Sequence, residues 1–220
     1  MPFNPLFFLV FLFLAIFLVA FIQVGVVSLA VDKLGLSTGA LFLLLFGSLL
    51  GSGINLPLFT MRAEAPPNPP PHPLYRLGLL RPQQPFHGRT MVAVNLGGCL
   101  IPVGFAIYLW AHHALGPGEV LGAIAVVAAI SYAASRPVPG VGIGMPLLLG
   151  PLAAAITAIL FDAEHSAPLA YIAGTLGVLT GADLLRIPDV RKMGSPLASI
   201  GGAGTFDGIY ITGIVAVLLA

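Results

Sequence analysis

The sequence predicts an all-α protein: a polytopic bundle of about seven transmembrane helices, with the N-terminus inside the cell and the C-terminus outside. The composition is 58% hydrophobic and 8% charged, and the mean hydropathy is +1.02. Soluble domains, by contrast, are about 45–50% apolar and about 25% charged. Seven apolar segments follow one another along the chain, and threading them through a bilayer places eight of the nine Lys and Arg residues on one side. Short loops that carry Lys and Arg stay on the cytoplasmic side, so this asymmetry gives the orientation. We expect a multi-pass protein of the inner (plasma) membrane.

The first apolar segment, Phe7–Leu29, lacks a basic leader and is too long for the hydrophobic region of a signal peptide. We therefore expect it to be retained as the first span. The further predicted spans are Thr38–Phe59, Met91–Ala111, Val120–Ala134, Pro146–Phe161, Ala167–Leu185 and Leu197–Ala220. The fourth and fifth are short against the ~20 residues that cross a bilayer, which leaves the exact count near residues 135–146 open.

Composition divides the chain into three parts: two helices in residues 1–60, a cytoplasmic loop in 61–90, and a five-helix core in 91–220. The loop contains the proline-rich run Ala65–Pro73, which cannot be helical because proline lacks the N–H and clashes with the preceding turn. We expect an extended polyproline spacer there. A ligand role of the Pro-x-x-Pro type is the alternative.

A second irregular stretch, Ser135–Pro146, begins with a serine and Arg136 and is otherwise rich in proline and glycine. One interpretation is a tight cytoplasmic turn with Arg136 as its topology anchor. The other is a strand-like or re-entrant stretch, which membrane depth tolerates only where protein or a watery cavity surrounds it. In that case Arg136, Pro139 and Gly140 would help to hold an extended substrate by backbone pairing.

Two amides, Asn55 and Asn95, lie within predicted apolar helices beside glycines. Such residues commonly form interhelical hydrogen bonds. The alternative is that they line a polar site.

The main candidate for a functional residue is Asp207, which lies within the last predicted span. A carboxylate in hydrocarbon costs about 2.5–3.5 kcal/mol on insertion scales, so an intramembrane acid indicates function. A second acid, Asp183, lies at the cytoplasmic end of span six, three residues before Arg186. The alternative for Asp183 is an ion pair with Arg186 at the membrane interface.

Glycines at three- and four-residue spacings form a stripe in each of spans six and seven: 174, 177 and 181, and 201, 204 and 208. The stripes predict close antiparallel packing of these two spans. On regular helices, however, Asp183 lies about 160° from Gly181 and faces away, and Asp207 lies deeper in the membrane. The two acids can therefore meet only if Ile200–Gly204 is unwound.

The run Gly204-Thr205-Phe206-Asp207-Gly208 resembles the Gly-x-Gly-Asp motif of intramembrane aspartyl proteases, the class of the presenilins, signal peptide peptidases and prepilin peptidases. Phe206 replaces the glycine that precedes the acid in that motif. The resemblance implies that Asp183 and Asp207 form a catalytic pair, with Gly204, Thr205 and Gly208 against the substrate.

A broader resemblance covers most of the chain. Its blocks are Asn95–Pro102, Arg136–Pro146, Gly174–Asp183 and Ser199–Ala220. They resemble a family of small prokaryotic membrane proteins known as domain of unknown function 1614, which implies a membrane protein and no particular activity.

Three functions remain open from the sequence. The leading hypothesis is an intramembrane aspartyl hydrolase acting on a transmembrane peptide with Asp183 and Asp207. The second is a solute or proton/cation-coupled transporter that uses Asp207. The third is a structural membrane subunit. Membrane lipid is the expected partner, nucleic acid is not expected at a net charge of +1, and no metal or other cofactor is expected.

Overall fold

The computed structural model describes residue 29 and residues 32–35, 37–64, 88–138, 142–202 and 208–220. The predicted first span, except for its last residue, and the proline-rich residues 65–87 lie outside the described residues. The predicted site residues that also lie outside them are Pro139, Gly140, Gly204, Thr205 and Asp207.

The described fold is mostly helical. Its α-helices are α1 Thr38–Gly51, α2 Ile101–His112, α3 Pro117–Ala134, α4 Leu149–Phe161, α5 Ser166–Val178 and α6 Gly208–Leu219. Two segments wind as π-helix, π1 over Leu96–Leu100 directly before α2, and π2 over Leu179–Asp183 directly after α5. A 3-10 segment, Leu184–Lys192, continues from π2.

The prediction of an all-α fold is wrong, because part of the chain forms β-strands. Strand β1 (Asn55–Arg62) pairs antiparallel with β2 (Arg89–Asn95), and β5 (Leu197–Ile200) pairs parallel with β2, in the order β1-β2-β5. The predicted second and third spans each include part of one of these strands, and the predicted seventh span includes all of β5. An apolar run of this length does not by itself distinguish a buried strand from a helix.

The irregular stretch after α3 is a short hairpin, in which β3 (Arg136–Val138) pairs antiparallel with β4 (Gly142–Gly144). The described parts of Ser135–Pro146 are thus strand-like, and the two strands pair with each other. Arg136 is exposed and lies opposite Gly144.

Helix α5 lies at the centre of the bundle, with nearly all of its residues buried against α2, α3, α4 and α6. Among the described helices, two are long and apolar enough to cross a membrane: Pro117–Ala134 and the continuous helical stretch Ser166–Lys192. Leu96–His112 and Leu149–Phe161 are apolar but shorter. The described residues do not support the count of seven spans or the predicted orientation.

Candidate functional site

The candidate site lies at the C-terminal end of π2, beside the turn at Gly201 and Gly202 that follows β5. Asp183 is the last residue of π2 and is half-buried. Its Oδ2 accepts a hydrogen bond from the backbone N–H of Gly201 at 2.8 Å. The acid of the predicted sixth span therefore faces Gly201, near the start of the predicted seventh span.

The orientation of Asp183 follows from what the neighbouring glycines contact. A Cβ on Gly181 would overlap the Ala128 carbonyl oxygen, and a Cβ on Gly177 would lie 2.6 Å from the Val127 Cβ, so both glycines pack against α3. The prediction that the whole stripe faces the seventh span is wrong. Because Gly181 faces α3, the opposite side of the helix, which carries Asp183, faces Gly201.

The predicted packing of spans six and seven is present between α5 and α6, through Gly174 of the predicted stripe and through Gly213, which lies outside the stripes. A Cβ on Gly174 would lie 3.1 Å from the Thr212 methyl group, and one on Gly213 would lie 2.8 Å from the Tyr171 ring. Small residues on both helices thus permit close approach of α5 and α6.

The predicted seventh span does not begin as a helix in its described part. Such unwinding over Ile200–Gly204 is required if the two acids are to meet. Residues Leu197–Ile200 are a strand, and Gly201 and Gly202 follow with φ of +82° and +92°. This left-handed conformation suits glycine, which has no Cβ to clash. A Cβ on Gly98, in π1, would overlap the Gly201 carbonyl oxygen, so the backbones of π1 and the Gly201 turn are in direct contact.

The two predicted lining amides lie at the end of the sheet nearest this turn. Asn95 is 1% exposed; its Nδ2 donates to the Ser52 carbonyl at 2.7 Å and to Asn55 Oδ1 at 3.1 Å. Its Oδ1 accepts the Gly98 N–H at 2.7 Å. The expectation that both amides sit within helices is wrong, since Asn55 begins β1 and Asn95 ends β2.

Sequence reasoning missed Ser199, whose hydroxyl donates to Asn55 Oδ1 at 2.5 Å. A signal was available in the sequence. Asn95-Leu96-Gly97-Gly98 and Ser199-Ile200-Gly201-Gly202 share the order polar, apolar, Gly, Gly. In the structure the two runs end neighbouring parallel strands, and both polar side chains bond the same Asn55 oxygen.

The predicted alternative partner of Asp183, Arg186, is engaged elsewhere. Its guanidinium donates to the carbonyls of Tyr132 and Ser135 at 2.6 and 2.8 Å, pairs with Asp189 at 3.0 Å and lies 4.0 Å from the centre of the Tyr132 ring. Arg186 therefore caps the C-terminus of α3 rather than neutralising Asp183 at the membrane interface.

We expect Arg186→Lys to lower the free energy of unfolding by about 1–2 kcal/mol, because an ammonium cannot reproduce the forked hydrogen bonds to two carbonyls. Denaturant unfolding in detergent micelles would measure this. Lys192→Gln is the matched control, since the Lys192–Asp189 pair is exposed and its loss should change stability by less than about 0.5 kcal/mol. Equal effects of the two substitutions would contradict the capping role.

Of the remaining predicted site residues, the structure places Gly208 as the first residue of α6 and Arg136 in β3. The site thus has a carboxylate at an interrupted helix end, a left-handed glycine turn and an amide–hydroxyl network. A carboxylate held this way can accept or donate a proton. Among the described residues, no group of three or more His, Cys, Asp or Glu side chains could hold a metal ion.

Comparison with known proteins gives one match. A protein-family model described as "Protein of unknown function (DUF1614)" matches residues 49–219, which include every described strand and most of the described helices. No curated protein and no solved structure matches the chain.

Proposed function

We propose that this chain, which belongs to the DUF1614 family, is a multi-pass inner-membrane protein in which Asp183 and Asp207 hydrolyse a peptide bond of a transmembrane substrate. The family itself supplies no activity. The proposal rests on the surface of the helices, on the surroundings of Asp183 and on the position of Asp207 in the sequence.

Membrane insertion is supported by the apolar outer surface of the bundle. Helix α4 exposes Leu152, Ile156, Ile159, Leu160 and Phe161, while α5 at the centre is almost fully buried. Soluble monomers rarely expose contiguous apolar surface on this scale. The hydrocarbon of a lipid bilayer around the bundle would explain why these apolar side chains are exposed.

Seven spans with the N-terminus inside and the C-terminus outside remain part of the proposal. Their support is the distribution of Lys and Arg along the sequence. In that orientation Asp183 and the sheet lie on the cytoplasmic side.

The observation that carries the catalytic proposal is the hydrogen bond from the Gly201 N–H to Asp183 Oδ2. Gly201 precedes Asp207 by six residues, a length of chain that reaches at most about 20 Å when fully extended. Asp183 therefore binds the chain six residues before the second acid.

In the proposed reaction, one carboxylate of the pair removes a proton from water while the other, protonated, donates a hydrogen bond to the scissile carbonyl. The water oxygen bonds to the carbonyl carbon, and a tetrahedral intermediate forms. Its C–N bond then breaks as a proton passes to the leaving amine. Two close carboxylates in a dry site share one proton, so the pair titrates as a unit.

We expect Asp183→Asn and Asp207→Asn each to abolish cleavage of a transmembrane reporter peptide by the purified protein, by at least about 100-fold, because each removes one acid or base from the pair. Mass spectrometry of the peptide products would measure cleavage.

The matched control for this experiment is Glu164→Gln, which neutralises an exposed acid in the loop between α4 and α5 and should leave cleavage unchanged. Cleavage retained by Asp183→Asn would overturn the proposal. So would absence of cleavage by the wild-type protein.

A second candidate function, transport, is favoured by the interrupted helices. The π1 segment and the Gly201 turn are in backbone contact, and π2 ends at Asp183 beside them. Transporters bind substrates and coupling ions at such discontinuous helices. Proton flux into liposomes that depends on an added solute, and is lost in Asp207→Asn, would support transport in place of hydrolysis.

A further inference from the structure

Two arginines face each other across the end of the sheet farthest from Asn95. Arg62 of β1 and Arg89 of β2 are direct cross-strand partners, and both are exposed. Side chains of directly opposite residues point to the same face, with Cβ atoms about 4.5–5.5 Å apart. Like charges in this position repel, so an anion between or beside the two guanidiniums would stabilise the pair.

A third arginine lies at the same end. The Glu64 N–H donates to the Arg191 carbonyl at 2.8 Å, which brings Arg191 beside the end of β1. Among the ion pairs of the described residues, none involves Arg62, Arg89 or Arg191. The described carboxylate nearest Arg62 and Arg89 in the sequence is that of the exposed Glu64, two residues after β1, which leaves an excess of positive charge.

The sheet leads from these arginines toward the apolar helix bundle. On the face that carries Arg62 and Arg89, its exposed large side chains are Met91 and Leu197, whereas Leu56 and Phe59 lie on the other face. The arginines are therefore at the end of the sheet farthest from π1 and α2.

We propose that Arg62, Arg89 and Arg191 bind the phosphate of an anionic phospholipid at the cytoplasmic surface of the membrane. The proposal rests on the membrane location given above and not on hydrolysis. Arginine suits this role, because its planar guanidinium donates two parallel hydrogen bonds to phosphate oxygens. Basic residues at the cytoplasmic surface attract anionic lipids in the same way.

The test uses the purified full-length chain in phosphatidylcholine nanodiscs with increasing phosphatidylglycerol, and native mass spectrometry counts the phosphatidylglycerol molecules retained. We expect Arg62→Gln/Arg89→Gln to weaken phosphatidylglycerol binding about 30-fold, on the basis of the attraction of each arginine to an anionic surface. Arg62→Lys/Arg89→Lys keeps both charges and should retain most of the binding. Binding should also weaken as salt rises.

Arg136→Gln is the matched control, because Arg136 is likewise exposed on a strand but belongs to the β3–β4 hairpin. Equal loss of phosphatidylglycerol in this control, or undiminished binding in Arg62→Gln/Arg89→Gln, would overturn the proposal. Displacement of the lipid by millimolar inorganic phosphate would also overturn it, in favour of a site for free phosphate. Since the readout is bound lipid and not cleavage, failure of this proposal and failure of the proposed hydrolysis are distinguishable.

Discussion

Gly98→Ala is expected to destabilise the protein by about 1–3 kcal/mol, the usual cost of forcing one extra methyl group into a packed position. The added Cβ would overlap the carbonyl oxygen of Gly201, which is backbone and cannot rotate away. Either π1 or the Gly201 turn must move, and the Gly201 turn carries the N–H that Asp183 binds. We therefore expect cleavage, if the protein hydrolyses peptides, to fall together with stability.

Gly104→Ala is the matched control for this prediction. Gly104 lies in α2, which follows π1, and a Cβ there would meet nothing within 4 Å. The same chemical change should then be neutral or stabilise the helix by up to about 1 kcal/mol, because alanine has the higher helix propensity. Unfolding of both variants in one detergent would measure the difference, and a loss of stability in Gly104→Ala as large as in Gly98→Ala would contradict the steric explanation.

The strands illustrate what the sequence could not specify. The predicted helix Thr38–Phe59 ends at Gly51, and Gly53 and Pro57 follow. Pro57 lies within strand β1, which tolerates proline because β1 is at the edge of the sheet. Glycine and proline commonly interrupt helices, and the prediction of one continuous span Thr38–Phe59 does not take this signal into account. That the chain then pairs with β2, after the proline-rich segment, is a non-local event that no local pattern encodes.

The surroundings of Asp183 were predictable in part. Helical geometry correctly placed the acid on the side opposite Gly181. The expected unwinding is present over its described part, because residues 200–202 are not helical, and Asp207 itself lies outside the described residues. Of the predicted stripe, Gly174 contacts the seventh span as expected, but Gly177 and Gly181 do not, because small residues at helical spacing indicate a close contact without naming the helix that makes it. Here Gly177 and Gly181 contact α3, and that contact turns Asp183 toward Gly201.

The second large effect is expected at Asn95. Asn95→Ala should lower the free energy of unfolding by about 2–4 kcal/mol, since it leaves the buried Gly98 N–H without its acceptor and the Ser52 carbonyl without its donor. Ser199→Ala removes one hydrogen bond, to Asn55 Oδ1, and should cost about 1 kcal/mol. Denaturant unfolding of both single variants and the double variant would give the coupling energy between them.

The coupling energy separates a connected network from two independent bonds. Asn95 and Ser199 both donate to the Asn55 oxygen, so removal of one should change the geometry of the other, and the two effects should differ from their sum by at least about 0.5 kcal/mol. Because Ser199 precedes Gly201 by two residues, Asn95→Ala should also speed hydrogen exchange at the Gly201 amide. Additive energies together with unchanged exchange at Gly201 would show that Asn95 stabilises the sheet without positioning the turn that Asp183 binds.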